Sequence, residues 1–353
     1  MRLHMKQMWA SLAGLMALAV ALSACGAGGS NATATPATRA TQSTNPFVGV
    51  PGIVDPSNHS FPRDVEGLNG RVTIKTKPQR IVTLSVGHDE MTYALVPASR
   101  VAGVNINTKT SDYSNVADIS ASAPSISSDP ESILSVRPDV MVTSAFFPVD
   151  KIAALGKTGL AVVQTDLRND SKSRIDNILL LGYIYGEEAR AVAFAQEVQQ
   201  RYDALEAIVQ KHPAAQRLRV LSTARFADKI YTAGKESTEG GIIDAAAGIN
   251  SAAEAGLTRN PAISMESIVA MKPDVIIITQ PSDSGEPFKQ ELLKAAALQD
   301  VPAIKSGRVY VVSSTFFTTL SFWNLRGAEE LAKLLWPQDF PGKEFPKFSM
   351  PNG

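Results

Sequence analysis

The chain has 353 residues, Lys plus Arg and Asp plus Glu balanced at 34 each, four histidines and one cysteine. A balanced charge with no basic stripe excludes a nucleic-acid binder and a purely electrostatic membrane-surface binder. One cysteine excludes an internal disulfide, and His4, His59, His88 and His212 are too dispersed for a zinc site built on clustered imidazoles.

Arg2 and Lys6 precede an apolar run from Met8 to Leu22 that is broken only by Ser11 and Gly14. A positive start followed by roughly 15 apolar residues is a signal-peptide pattern, short of the roughly 20 residues that span a bilayer. It ends in Leu22-Ser23-Ala24-Cys25-Gly26, which resembles the lipobox of bacterial lipoproteins and implies lipidation of Cys25. Residues 1–24 therefore read as a signal peptide. Residues 25–62, rich in Gly, Ala, Ser, Thr, Asn and Pro, read as a lipid-anchored flexible linker outside the cell membrane.

Nearly 290 residues remain, more than one core usually accommodates, so two domains are expected. The Asn69-Gly70 pair between short alternating segments predicts a hairpin. Apolar runs at Ile81–Leu84, Val101–Val104, Val140–Thr143 and Leu160–Thr165 predict strands, with helices at Glu90–Leu95 and Pro130–Val136 between them. This alternation is that of an α/β lobe with a mostly parallel sheet, residues 63–170. A linking helical segment, 171–212, contains an amphipathic stretch from Glu187 to Lys211, closed by Pro213. The second α/β lobe, 213–345, has strands at Arg219–Thr223, Val275–Thr279 and Val309–Val312 and helices at Gly240–Ala247, Met265–Met271, Phe288–Ala297 and Leu325–Leu335. Residues 346–353 read as a tail.

One phrase occurs twice: ESILSVRPDV at 131–140 returns as ESIVAMKPDV at 266–275, an offset of 266 − 131 = 135 residues. That is far beyond the ~20 to 50 residues of a solenoid unit and points to two similar halves. In each copy a capping residue (Asp129 or Ser264) opens a helix, a glutamate (Glu131 or Glu266) stands in the first turn, and a proline (Pro138 or Pro273) ends it before a strand.

With these elements in place, KPQRIVTLSVGHDEMTYALVPASRVAGVN, DPESILSVRPDVMVTS, YTAGKESTEGGIIDAAAGIN, SMESIVAMKPDVIIIT and PAIKSGRVYVV resemble, in order and spacing, the solute-binding lipoproteins of ABC importers for ferric siderophores, haem and vitamin B12. The resemblance implies two similar α/β lobes joined by one long rigid helix, with ligand in the cleft between them. It implies that Glu131 and Glu266, on the outer tips of the lobes and away from the cleft loops, meet arginines on the two subunits of a permease dimer served by ATPase subunits. A duplicated lobe suits a two-fold partner. The chain is then a monomeric binding protein, not an enzyme, with no resident cofactor or metal site. Its cargo is an iron complex, a ferric siderophore or haem, or alternatively a corrinoid, and one stiff helix allows only modest lobe closure.

Ligands of such sheets bind beyond the carboxyl ends of the strands. The loops there, 85–90, 105–113, 144–147, 224–228, 280–283 and 314–323, supply the candidate contacts Ser85, His88, Tyr113, Phe146, Phe147, Arg225, Phe226, Gln280, Phe316, Phe317 and Trp323. Adjacent phenylalanines at 146–147 and 316–317 cannot both point into one core, so at least one of each pair faces the cleft, which suits a large, flat, partly apolar ligand. Arg225 stands where a guanidinium could hold a ligand anion, and His88 where an imidazole could reach a metal; Asp89 and Glu90 read as helix caps, and Phe322 and Leu325 as core. Gly234-Lys235 is followed by Glu236 where a P-loop needs Ser or Thr, and no Gly-x-Ser-x-Gly is present. A secreted α/β enzyme is the alternative from another class.

Overall fold

The computed structural model describes residues 45–168 and 170–351; the signal segment, Cys25 and most of the expected linker lie outside the described residues. The hairpin forms as expected, β1 (Arg63–Gly67) against β2 (Gly70–Ile74), with Gly70 at φ 95° in the turn. The N-terminal lobe follows: β3 (Ile81–Thr83), α1 (Val86–Leu95), β4 (Val101–Asn105), α2 (Ala117–Ser120), β5 (Ser125–Ile126), α3 (Pro130–Ser135), β6 (Val140–Ser144), α4 (Val149–Lys157) and β7 (Ala161–Thr165). Its sheet has the order β5-β4-β3-β6-β7, parallel throughout.

Two helices lead out of it, α5 (Ser171–Tyr185) and α6 (Glu188–Val209). The turn between them is tight because Gly182 lets the pair approach: a Cβ there would lie 2.1 Å from that of Ala191. With 22 residues α6 is about 33 Å long at ~1.5 Å per residue, close to the connector that the spacing predicts.

The C-terminal lobe runs β8 (Arg219–Phe226), β9 (Lys229–Thr232), α7 (Thr238–Ala245), β10 (Ile249–Asn250), α8 (Ser251–Glu254), β11 (Ala262–Ile263), α9 (Met265–Met271), β12 (Val275–Ile278), α10 (Ser282–Lys294), α11 (Pro302–Lys305), β13 (Val309–Val311), α12 (Ser314–Phe317) and α13 (Asn324–Leu335). Its sheet has the order β11-β9-β8-β12-β13, with β10 beside β8. The β8-β12-β13 core is parallel, but β9 is antiparallel to both neighbours. The sequence carries no Gly signal for that β8–β9 hairpin, whose turn puts Ala227 at φ 51°.

The period of two along the strands sorts side chains into separate cores. In β6, Met141 faces α3 and α4 with Ile133, Ile152 and Leu155; in β12, Ile276 and Ile278 face α9 and α10 with Ile268, Phe288 and Leu292. The alternate residues, Val140 and Val142 in one lobe and Val275 and Ile277 in the other, belong to a single core shared through α1, α5, α6, α7 and α13. The lobes are thus fused along their inner faces as well as joined by a rod.

Two expected boundaries shift. Residues 45–62, expected within the linker, pack onto the lobe: Phe47 and Val50 are buried, Phe47 lies 6.3 Å from the ring of Tyr183, and Tyr183 Oη donates to the Asp55 carbonyl at 3.0 Å. The expected tail also packs. Phe348 is buried against Phe194 and Phe322, and Arg201 sits over its ring at 3.9 Å.

Candidate functional site

The two lobes meet along a seam made of loops that follow the carboxyl ends of their strands. Asn115 Nδ2 donates to the Thr315 carbonyl at 2.9 Å, and Ser314 Oγ to the Asp112 carbonyl at 2.7 Å. Arg174, buried on α5, donates to the Leu320 carbonyl. Gly87 completes the approach, since a Cβ there would come within 3.3 Å of the Leu320 backbone. The strand ends of both lobes therefore open on one cleft beside this seam.

Large apolar side chains lie exposed on its loops. Phe146, 86 % exposed, follows β6, Phe226, 76 % exposed, ends β8, and Tyr113, 51 % exposed, lies on the loop between β4 and α2. Exposed Ile106 follows β4 and exposed Val149 opens α4 just past the loop that carries Phe146; neither is flagged by an aromatic or charged type in the sequence. Phe147 and Phe317 turn inward and are buried; the 146–147 pair splits in direction, with Phe146 exposed, whereas Phe316 is partly buried against the same core as Phe317, contrary to the expectation that one ring of that pair faces the cleft. Phe316 stacks on Trp323, centroids 5.8 Å apart, and Trp323 meets Phe348 edge-on at 5.0 Å, which draws both rings toward the seam rather than the open rim. Phe322 and Leu325 are core, as expected.

The polar candidates are closed. His88 is fully buried, with Nδ1 2.9 Å from Ser85 Oγ and Nε2 2.6 Å from Thr165 Oγ1, so neither ring nitrogen is open to a metal. Burial pushes its pKa down to about 3, leaving a neutral imidazole at neutral pH. Ser85 is the N-cap of α1, accepting from the His88 N–H. Arg225 pairs with Glu291 of α10 at 2.5 Å and lies over the Phe288 ring, and Gln280 is engaged with the Arg225 backbone, accepting from its N–H at 2.7 Å and donating to its carbonyl at 3.0 Å. These long-range partners hold both residues, although Arg225 Nε has no hydrogen-bond partner among the described residues. Among the described residues no group of three or more His, Cys, Asp or Glu side chains is arranged to hold a metal ion.

Asp89 and Glu90 are not caps. Both are fully buried. Asp89 accepts from the Thr83 hydroxyl, from Thr108 Oγ1 at 2.5 Å and from the Asn105 N–H at 3.3 Å. Glu90 accepts from the Asn115 N–H and Nδ2, each at 2.8 Å, and across the seam from Thr319 Oγ1 at 2.6 Å and Ser321 Oγ. Burial raises both carboxyls, Asp89 to about 7, against the lowering pull of these donors.

The repeated phrase folds the same way twice where it meets the sheet. Asp139 accepts from the backbone N–H groups of Gln79 and Arg80, and Asp274 from that of Arg219, each at the entrance of the lobe's first strand. Arg80 and Arg219 in turn donate to the last carbonyls of α3 and α9, and Arg137 and Lys272 occupy the left-handed region at φ 47° and 46°. At the other end Ser264 caps α9 in a reciprocal box with Ser267, whereas Asp129 does not cap α3: its carboxylate pairs with Lys151 at 3.1 Å and accepts from Ser127 Oγ. Because α3 and α9 run back against the strands that follow them, their starts lie at the end where the strands finish. Asp129 meets α4 just beyond β6, and Ser264 and Met265 share a surface hollow with Arg225 and Lys229 at the β8–β9 tip. Glu131 and Glu266, both exposed, therefore stand on the cleft-side end of the lobes, not away from it as expected.

Residues 81–315 match the model of the family described as periplasmic binding protein. The chain is 24% identical over 288 residues to the uncharacterized ABC transporter substrate-binding lipoprotein YvrC of Bacillus subtilis (strain 168), covering 79% of this chain and 87% of that one. It is 25% identical over 259 residues to a cobalamin-binding protein of Halobacterium salinarum, covering 72% and 69%. Among solved structures, the fold is similar to the apo form of the periplasmic heme-binding protein RhuT from Roseiflexus sp. RS-1, with a TM-score of 0.65, 22% identity and coverage of 74% and 99%. It is likewise similar to the molybdate-bound MolA of Haemophilus influenzae, with a TM-score of 0.68, 19% identity and coverage of 80% and 94%.

Proposed function

Because the chain belongs to the periplasmic binding protein family, the extracytoplasmic substrate-binding components of ABC importers and not enzymes, we propose that its cleft captures a planar metal tetrapyrrole, haem, for delivery to a permease. The observation that carries this is the pair Phe146 and Phe226, one from each lobe, largely exposed at the ends of β6 and β8. Two such rings are costly to leave in water, and each contributes about 1.5 to 3 kcal/mol when covered by a flat apolar face. Arg225, the guanidinium best placed to hold an anionic ferric siderophore, is already paired with Glu291, which favours the flat ligand. Tyr113 is the exposed cleft phenol able to give haem iron an axial oxygen, since His88 is closed.

A corrinoid is the second reading, favoured by the likeness to a protein named cobalamin-binding. A corrinoid carries its own axial ligands and has no need of Tyr113. Replacing Tyr113 with Phe separates the two: haem binding should weaken about ten-fold or more with a changed iron spectrum, whereas cyanocobalamin binding should be unaffected. A variant that binds haem with an unaltered spectrum and affinity removes Tyr113 from the site.

Delivery follows from the same face. Glu131 and Glu266 dock the two lobes on arginines of the permease subunits, so the cleft mouth is presented to the translocation path. The lipobox-like stretch ending in Cys25 supports anchoring through one lipidated residue. Replacing Cys25 with Ala should release the protein from membranes with ligand affinity unchanged; a variant that stays membrane-bound refutes the anchor.

A further inference from the structure

Two adjacent buried acids in a helix need a reason, because each carries a desolvation cost that only well-placed donors offset. The partners of Asp89 and Glu90 share a pattern. Asp89 takes the N–H of Asn105 and the hydroxyl of Thr108, at the start of the loop between β4 and α2. Glu90 takes both donors of Asn115, at the end of that loop. Between these clamps the loop exposes Ile106 and Tyr113, two of the apolar side chains at the cleft. The second oxygen of Glu90 accepts from Thr319 and Ser321, residues 229 and 231 positions away in the other lobe. Asn115 also reaches across, to the Thr315 carbonyl.

We propose that Asp89 and Glu90 are the positioning residues of the cleft: Asp89 fixes where the loop 105–115 begins, and Glu90 fixes where it ends and latches it to segment 315–321 of the opposite lobe. That this loop forms part of the ligand face rests on the reading of the cleft given above; that the acids set the distance between the lobes does not. Ligand meets a preformed surface, and the latch confines closure to small movements about the shared core.

The experiment uses the globular unit from Thr44 onward, which is compact in itself and lacks Cys25, the sole cysteine. Spin labels are placed at Ala153→Cys and Lys294→Cys, exposed positions on α4 and α10, and the interlobe distance distribution is recorded without ligand. In this background Asn115→Asp sets a second carboxylate against Glu90. It should broaden and shift the distribution, and lower haem affinity about ten-fold, the scale of a lost charge-assisted hydrogen bond. Adding Glu90→Gln to Asn115→Asp restores a donor between the two side chains and should return both readings part of the way, since the bond to the Thr315 carbonyl stays lost. Should Asn115→Asp fail to fold, the pair Thr319→Val and Ser321→Ala tests the same latch from the other lobe and should likewise broaden the distribution. An unchanged distribution in the folded variants overturns the proposal whatever the ligand. Failure of the wild type to bind haem would overturn the tetrapyrrole reading and leave the distance result standing.

Discussion

The two copies of the repeated phrase, α3 with β6 and α9 with β12, agree where they meet the sheet and differ where they meet solvent. In both, an aspartate holds the entrance of the lobe's first strand, an arginine from that entrance closes the helix end, and a left-handed basic residue precedes the proline. These recurrences have a structural cause. The capping does not recur, since Ser264 caps and Asp129 pairs with Lys151 instead. Glu131 and Glu266 recur although the bracing at the other end of each helix does not involve them, which is what a contact with a two-fold partner would require. The lobes differ again at the cleft, where Ile106, Tyr113, Phe146 and Val149 come from the N-terminal lobe and Phe226 from the C-terminal lobe.

The largest effect expected from this comparison is on delivery. Reversing both glutamates, Glu131→Arg with Glu266→Arg, should abolish uptake in cells, because like charges brought together at an interface cost several kcal/mol. Each single reversal should be milder. Since both helix starts lie at the cleft-side end, haem affinity of the purified variant has to be measured beside uptake; normal uptake in the double variant would make the glutamates helix-start charges only.

The N-terminal lobe buries two titratable groups of opposite type side by side, His88 and Asp89 in α1. Asp89, raised to about 7, contributes stability that is fully present below about pH 4 and is lost as pH rises through 7. His88, lowered to about 3, does the reverse: its contribution is full above pH 6.5 and is lost as pH falls toward 3. Between about pH 4 and 6.5 they oppose. Asp89→Asn should therefore show a steeper rise of unfolding free energy with pH over that window than the wild type, by on the order of 4 kcal/mol at most. Equal slopes in denaturant titrations would contradict it.

At the cleft, Phe146→Ala and Phe226→Ala should each lower haem affinity roughly ten-fold or more, from about 1.5 to 3 kcal/mol of lost burial. Neither should lower the melting temperature, because both rings are exposed. Phe226→Ala tests the C-terminal lobe's share; unaltered affinity there would confine the ligand to the N-terminal lobe. The smallest effect separates the two helix starts. Ser264→Ala should cost about 1 kcal/mol of stability, a lost cap, and Asp129→Ala less, the worth of a surface pair.

Local pattern accounts for much of this molecule. The Asn69-Gly70 turn, the strands at 140–144 and 275–278 and helix 265–271 stand where the periods place them. The α5 helix has no polar stripe along its second half, from Ile178 to Tyr185, because it is packed against α1 and α6, so no period of 3.6 marks that half. Helix α10 begins before Pro287, the residue at which a helix would be expected to start, not continue. The exposure of Phe146 and Tyr113, on which the proposed site rests, goes with their loop positions, which the sequence shows. What Arg225, His88 and Glu90 do depends on Glu291, Thr165 and Ser321, partners 66, 77 and 231 positions distant, which no local spacing reveals.

The central claim is that the cleft binds a flat metal tetrapyrrole without turning it over. It is tested most directly by equilibrium titration of the globular unit with haem, cyanocobalamin and a ferric siderophore, followed by absorbance and by recovery of the ligand unchanged. The expected result is one haem bound per chain, weakened by Phe146→Ala and by Phe226→Ala, and released intact. Binding of the ferric siderophore alone, or of none of the three by a folded protein, would contradict it.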